Sequence, residues 1–184
     1  AETMIAHFQA PDVGFFDTSD DHESLIARPR DLQDNATPSG NAMAVTTLLK
    51  LAGFTNDLRY VDIAQQALAQ MQPMMSQYSL GFGQWLQALS YALSQPREIA
   101  IIGDPEAAET QALLNVVRGG YRPFQVVALG GPSAHPSDGP LLHNRGLVEG
   151  QGEHARPAAY VCRAFACQAP VTSPLALEQL LGAN

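Results

Sequence analysis

The sequence predicts a mixed α and α/β fold. Residues 1–95 read as antiparallel helical hairpins, and residues 96–184 as a small, mainly parallel, three-stranded βαβ-β-α part. Three observations predict it. Apolar residues recur at spacings of three and four from Ala42 to Leu93, the period of an amphipathic helix. At Pro96 that period stops, and short β-branched runs replace it. A strand, a helix and a strand then follow within about thirty residues, which requires a parallel pair with a right-handed crossover.

Taken in order, residues 2–9 read as the last turns of a helix whose beginning is missing. A polar loop of about thirty residues follows, which is long for a self-contained domain, so the expectation is a fragment of a larger fold. Ser39 or Asn41 caps the next helix, which carries Ala42, Val45, Leu49 and Ala52 on one face and stops at Gly53. Asn56 or Asp57 starts another, with Tyr60, Ile63, Ala64, Ala67, Leu68 and Met71 in phase, until Pro73 breaks or kinks it. The third carries Phe82, Leu86, Leu89 and Leu93, with Trp85 and Ala92 beside them. Glu98 to Gly103 reads as a buried strand. Asp104-Pro105 caps a helix reaching Arg118, and Pro123 to Leu129 forms the second strand. Residues 130–158 read as a long loop, Ala159 to Phe165 as a third strand, and Ser173-Pro174 as the cap of a last helix.

The chain has 184 residues, of which 46% are apolar, enough to bury a real core. Its formal charge of -8 argues against nucleic acid or an anionic membrane as partner. No apolar run reaches about 18 residues, so no membrane span is expected. The N-terminal AETMIAHFQAP lacks the basic start and apolar core of a signal peptide, and a cytoplasmic location is the expectation. Lys50 is the only lysine; the arginine bias reads first as genomic. Cys162 and Cys167 match neither C-x-x-C nor paired zinc ligands. They read as buried free thiols, with a redox-sensitive pair as the alternative.

The segments GFFDT, DHESLI-x-RP, D-x-x-x-PSGN, EIAIIG and YVCRAFACQAPVTSP resemble one family. It is the family of thioredoxin-domain-containing proteins typified by spermatogenesis-associated protein 20. The resemblance implies an N-terminal thioredoxin-like domain followed by a six-hairpin (α/α) toroid, similar to sugar epimerases and glycosidases. Only its C-terminal part is expected here: the end of the toroid and a small α/β subdomain. The redox role of the missing domain is not assigned to these residues.

The stretch from Gly14 to Asn41 holds the candidate site. Inner helices of such toroids present their N-termini to a central cavity. A helix N-terminus offers free N–H groups to hydroxyls or anions. Asp34, Asn35, Ser39 and Asn41 are candidate ligands for a polyol, and Arg28 and Arg30 for a carboxylate or phosphate. Ordinary capping and a loop-fixing Arg28–Asp34 pair are the competing explanation. Asp17, Asp34 and His22 are the catalytic candidates. The acidic run Asp17, Asp20, Asp21 and Glu23, with His22, offers two carboxylates for glycoside hydrolysis or a carboxylate with His22 as a proton-transfer pair. Its bland alternative is a solvated loop that caps a short turn. Neither a metal site nor a cofactor is expected: the calcium-loop spacing, G-x-G-x-x-G and the P-loop are all absent. His135, His143 and His154 read as solvated loop residues.

Two functions compete. One is a sugar-like or small polar ligand bound at the 17–41 loop, with glycosidase- or epimerase-like chemistry if the toroid is an enzyme. The other is a non-catalytic scaffold that supports a thioredoxin-like domain and its protein clients. A piece of a toroid should also leave apolar faces around Leu48, Leu51 and Trp85 uncovered. Self-association, most simply as a homodimer through helices 42–52 or 82–93, is therefore expected.

Overall fold

Ala1–Ala52 with Asp57–Ser94 form one compact unit, and Gly53–Asn56 with Gln95–Asn184 form a second. The structure, a computed structural model, describes residues 1–21, 27–132, 138–149 and 155–182.

The first unit contains α1 (Glu2–Phe8), α2 (Gly40–Thr55) up to Ala52, α3 (Leu58–Gln77), a 3-10 turn (Ser79–Gly81) and α4 (Gly83–Leu93), and Gly53–Thr55 of α2 belong to the second. Ser39 caps α2, its Oγ accepting the Ala42 N–H at 3.2 Å. Asn41 does not cap; it lies in the first turn and points its amide away. Gly53 does not stop the helix either, which runs on to Thr55 and ends where Asn56 adopts a left-handed φ of 56°. The glycine serves a close approach instead: a Cβ there would meet Val126 Cγ2 at 3.0 Å.

Asp57 caps α3 by accepting the Arg59 N–H at 3.0 Å, and α3 continues through Pro73 to Gln77, so the proline does not break it. α3 and α4, joined by the short turn, pack on each other. Val45, Leu48, Ala64 and Ala88 are fully buried, the alanines letting the helices close up around Trp85. Each fully buried leucine contributes about 1.5–3 kcal/mol. Trp85 donates its indole N–H to the Leu32 carbonyl at 2.8 Å, so the loop before α2 is tied to this core.

The second unit is built on β1 (Arg97–Ile102), α5 (Ala108–Arg118), β2 (Gln125–Gly130), β3 (Val148–Glu149), β4 (Ala155–Arg156), β5 (Ala158–Arg163), β6 (Ala166–Cys167) and α6 (Pro174–Gly182). Four strands form one sheet in the order β2-β1-β5-β6, and β3 pairs with β4. The fold class is thus mixed α and α/β, as the sequence predicts. β1 and β2 are parallel, with Ile99 opposite Val127 and Ile101 opposite Leu129. The third long strand departs from expectation: β5 runs antiparallel to β1, so the sheet is mixed rather than mainly parallel. A parallel strand needs a crossover, usually helical, and the described residues between β2 and β5 contain no helix that could supply one.

β1 is buried along Glu98–Ile102. Ile99 and Ile101 pack with Leu113, Val117, Leu177 and Leu181 of α5 and α6. Ala100 and Ile102 pack on the opposite face with Val126, Leu141 and Leu142. A strand covered on both faces reads as a continuous apolar run, which is why EIAII does not alternate. Asp104 does not cap α5; it closes a turn ahead of it by accepting the Glu106 N–H, and the helix starts at Ala108. Ser173 does cap α6, accepting the Ala176 N–H at 3.3 Å.

Cys162 and Cys167 are not free thiols but a disulfide across the β5–β6 hairpin. Ala164 and Phe165, at φ 48° and 60°, make a two-residue turn that sets the cysteines directly opposite. Left-handed backbone at two non-glycine residues is uncommon, so the spacing alone concealed the pairing. No helix among the described residues is long and apolar enough to cross a membrane.

Candidate functional site

The loop between α1 and α2 is ordered by its own polar groups. Asn41, 1% exposed, accepts the Phe15 N–H at 2.7 Å and donates to the Phe15 carbonyl at 2.9 Å and the Asp31 carbonyl at 3.1 Å. Its amide thus pairs with Phe15 as a neighbouring strand would. Gly14 has to be glycine: its φ is 84°, and a Cβ would lie 2.6 Å from Asn41 Oδ1. Asp34 accepts the Ser39 N–H at 2.9 Å and the Gln84 N–H at 2.8 Å, fixing the turn before α2 to the first turn of α4. Arg28 donates to the His7 and Thr18 carbonyls at 2.9 and 2.5 Å, with its guanidinium 4.1 Å from the Phe16 ring centre. Arg30 grips Asp12 with two nitrogens, at 2.7 and 3.0 Å. That contact holds the Asp12 carboxyl well below the usual carboxylate range.

Beside this loop lies a hollow of about 260 Å³. Met4 and Phe8 of α1, Phe15, Phe16 and Asp17 of the loop, and Gly40, Asn41 and Ala44 of α2 line it. Among the described residues, Asp17 is the one charged residue in the lining. Its Oδ2 accepts the Asp31 N–H at 2.9 Å. Its Oδ1 is the nearest atom to where a Cβ on Gly40 would stand, 3.9 Å away, so the absent side chain keeps the hollow open beside the carboxylate. A carboxylate at the start of α2 also meets the positive end of the helix dipole. The hollow therefore combines an apolar, largely aromatic wall with the Asp17 carboxylate as a hydrogen-bond acceptor.

The chain is 34% identical to spermatogenesis-associated protein 20 of Homo sapiens over 160 residues, 85% of this chain. The Rattus norvegicus and Mus musculus proteins of the same name match over the same length at 34% and 32%. The chain belongs to the spermatogenesis-associated protein 20 family. It spans about a fifth (20%) of the length of these relatives. No protein-family model matches it.

Within this family member, the structure brings Asp17 and Asn41 to the hollow and spends the other described candidates elsewhere. Asp34, Ser39, Arg28 and Arg30 are committed to turns, caps and loop carbonyls. Arg28 pairs with carbonyls rather than with Asp34. Asn35 is exposed, its N–H given to the Thr37 carbonyl. His22 lies outside the described residues. Sequence reasoning missed Met4, Phe8 and Ala44, and gave Phe15 and Phe16 no role. The GFFDT run was the available signal for the last two, since two adjacent aromatics before a carboxylate are not needed by a solvated loop.

Proposed function

We propose that the hollow between α1, the 14–17 segment and α2 binds a small, neutral, polyol- or sugar-like ligand. The supporting observation is the placement of Asp17 Oδ1 at the edge of an aromatic-lined hollow on the N-terminal end of α2. Aromatic rings suit the C–H face of a sugar, and a carboxylate accepts from its hydroxyls. Asp17 already supplies negative charge at the helix end, and Arg28 and Arg30 are engaged, so among the described residues an anionic ligand finds no free cation there. In the longer relatives the same surface would line the cavity of a toroid.

Binding is favoured over catalysis. Glycoside hydrolysis needs two carboxyl groups, and Asp34 has both oxygens occupied by backbone N–H groups. A glycosidase or an epimerase would need a second acid or base beyond Asp17. The scaffold reading, in which the unit supports a thioredoxin-like domain and its clients, is favoured by one thing: so much of the loop's polarity serves the loop itself. Saturation-transfer NMR with glucose, N-acetylglucosamine, myo-inositol and glucose 6-phosphate separates the two. The binding reading expects transfer to neutral polyols, weakened about tenfold by Asp17→Asn, which keeps the acceptor for Asp31. No transfer to any of them leaves the scaffold reading.

A further inference from the structure

The second unit holds an arrangement that the hollow does not use. Cys162 is 1% exposed and its disulfide partner Cys167 is exposed. Arg145 donates from one nitrogen to both sulfurs, at 3.4 Å to Cys162 and 2.9 Å to Cys167. Its other terminal nitrogen donates to the carbonyls of Leu141, Pro140 and His143, which fixes the guanidinium over the sulfurs. A neutral disulfide gains little from a cation, whereas a thiolate gains much. The hairpin is also held without the bond: Glu98 accepts the Phe165 N–H at 2.8 Å inside the turn. The cysteines are five positions apart, so the bond closes a short loop and removes little freedom from the unfolded chain.

We infer that Cys162–Cys167 is a thiol–disulfide exchange site whose co-reactant is an external dithiol, with Arg145 stabilising the thiolates it releases. One thiolate of the dithiol attacks the exposed Cys167 Sγ, forming a mixed disulfide as the protein's S–S bond breaks. The electron pair leaves on Cys162 Sγ, beside Arg145. The second thiol of the dithiol, deprotonated, attacks its own sulfur in the mixed disulfide and releases Cys167 as a thiolate. The protein disulfide is reduced to two thiols and the dithiol is oxidised to a disulfide, with its two protons passing to the protein sulfurs or solvent. The reverse sequence oxidises the pair.

Equilibration of the whole 184-residue chain with reduced and oxidised dithiothreitol, read by alkylation and mass spectrometry, tests this. The pair should reduce reversibly while the circular dichroism stays native. In the reduced chain, the pH midpoint for Cys167 alkylation should fall at least about one unit below the roughly 8.5 of free cysteine. Arg145→Gln should raise that midpoint and Arg145→Lys should largely restore it. Reduction only upon unfolding, or a wild-type midpoint at or above that of free cysteine, overturns the inference. Both wild-type readouts decide it even where Arg145→Gln fails to fold.

Discussion

Asn41 carries the loop on three hydrogen bonds from a side chain that is 1% exposed. Replacing it with Ala leaves the Phe15 N–H and carbonyl unpaired against α2. The expected cost is about 3 kcal/mol, read as a drop in the urea midpoint at unchanged slope. Gly14→Ala should cost about 1–3 kcal/mol by the same measurement, from its left-handed backbone and its approach to Asn41. His7 contacts Asp20 at 2.8 Å, and that hydrogen bond, more than the charge itself, raises its pKa above 6.5. The folded value lies above the unfolded one, so this contact contributes fully below pH 6.5 and is lost as pH rises through the raised value. An NMR titration of the imidazole should give a midpoint above 6.5 that Asp20→Asn lowers. Some of this scale was legible in advance. Ser39 and Asp57 cap as their types and positions indicate, because capping is local chemistry. Asn41 was misread, because a residue that fits a cap also fits a strand-like pairing with a backbone 26 positions away, and only the fold chooses between them.

The helices were the most legible elements, since a stripe at spacings of three and four has one economical fold. What the period could not reveal was tolerance. Pro73 lies inside α3, where it removes an N–H and crowds the Ala69 carbonyl, yet the buried Ala64, Ala67, Met71 and Met75 face carries the helix past it. Pro73→Ala should therefore raise the melting temperature, by up to about 3 kcal/mol of stability and less if the last turn frays. The direction of β5 was illegible for a different reason. Alternation reports which face is buried, not which way the strand runs, and direction is set by the connection. The β5–β6 turn places Ala164 and Phe165 in left-handed backbone. Ala164→Gly should stabilise the hairpin by about 1 kcal/mol, measured by slowed amide exchange in β5.

For the whole molecule, the sequence drew attention to the 17–41 segment but not to the residues that wall the hollow beside it. Asp17 stood out as a carboxylate in a polar run; Met4 and Phe8 sit on a short helix before it and meet Ala44 only through tertiary packing. Self-association remains our proposal, on narrower grounds than an uncovered toroid face. Leu48 and Trp85 are 0% and 1% exposed inside the first unit, leaving Met43 and Leu93 as exposed apolar residues on the two helices concerned. Sedimentation should detect a dimer that Met43→Glu or Leu93→Glu dissociates; a monomer at high concentration rules it out. The hollow itself is tested most directly by titrating myo-inositol and glucose into the isotopically labelled chain and following backbone amide shifts. The ligand reading predicts saturable shifts clustered at residues 4–8, 14–17 and 40–44, lost in Asp17→Asn. Absence of saturable shifts there, or equal shifts in the variant, would contradict it.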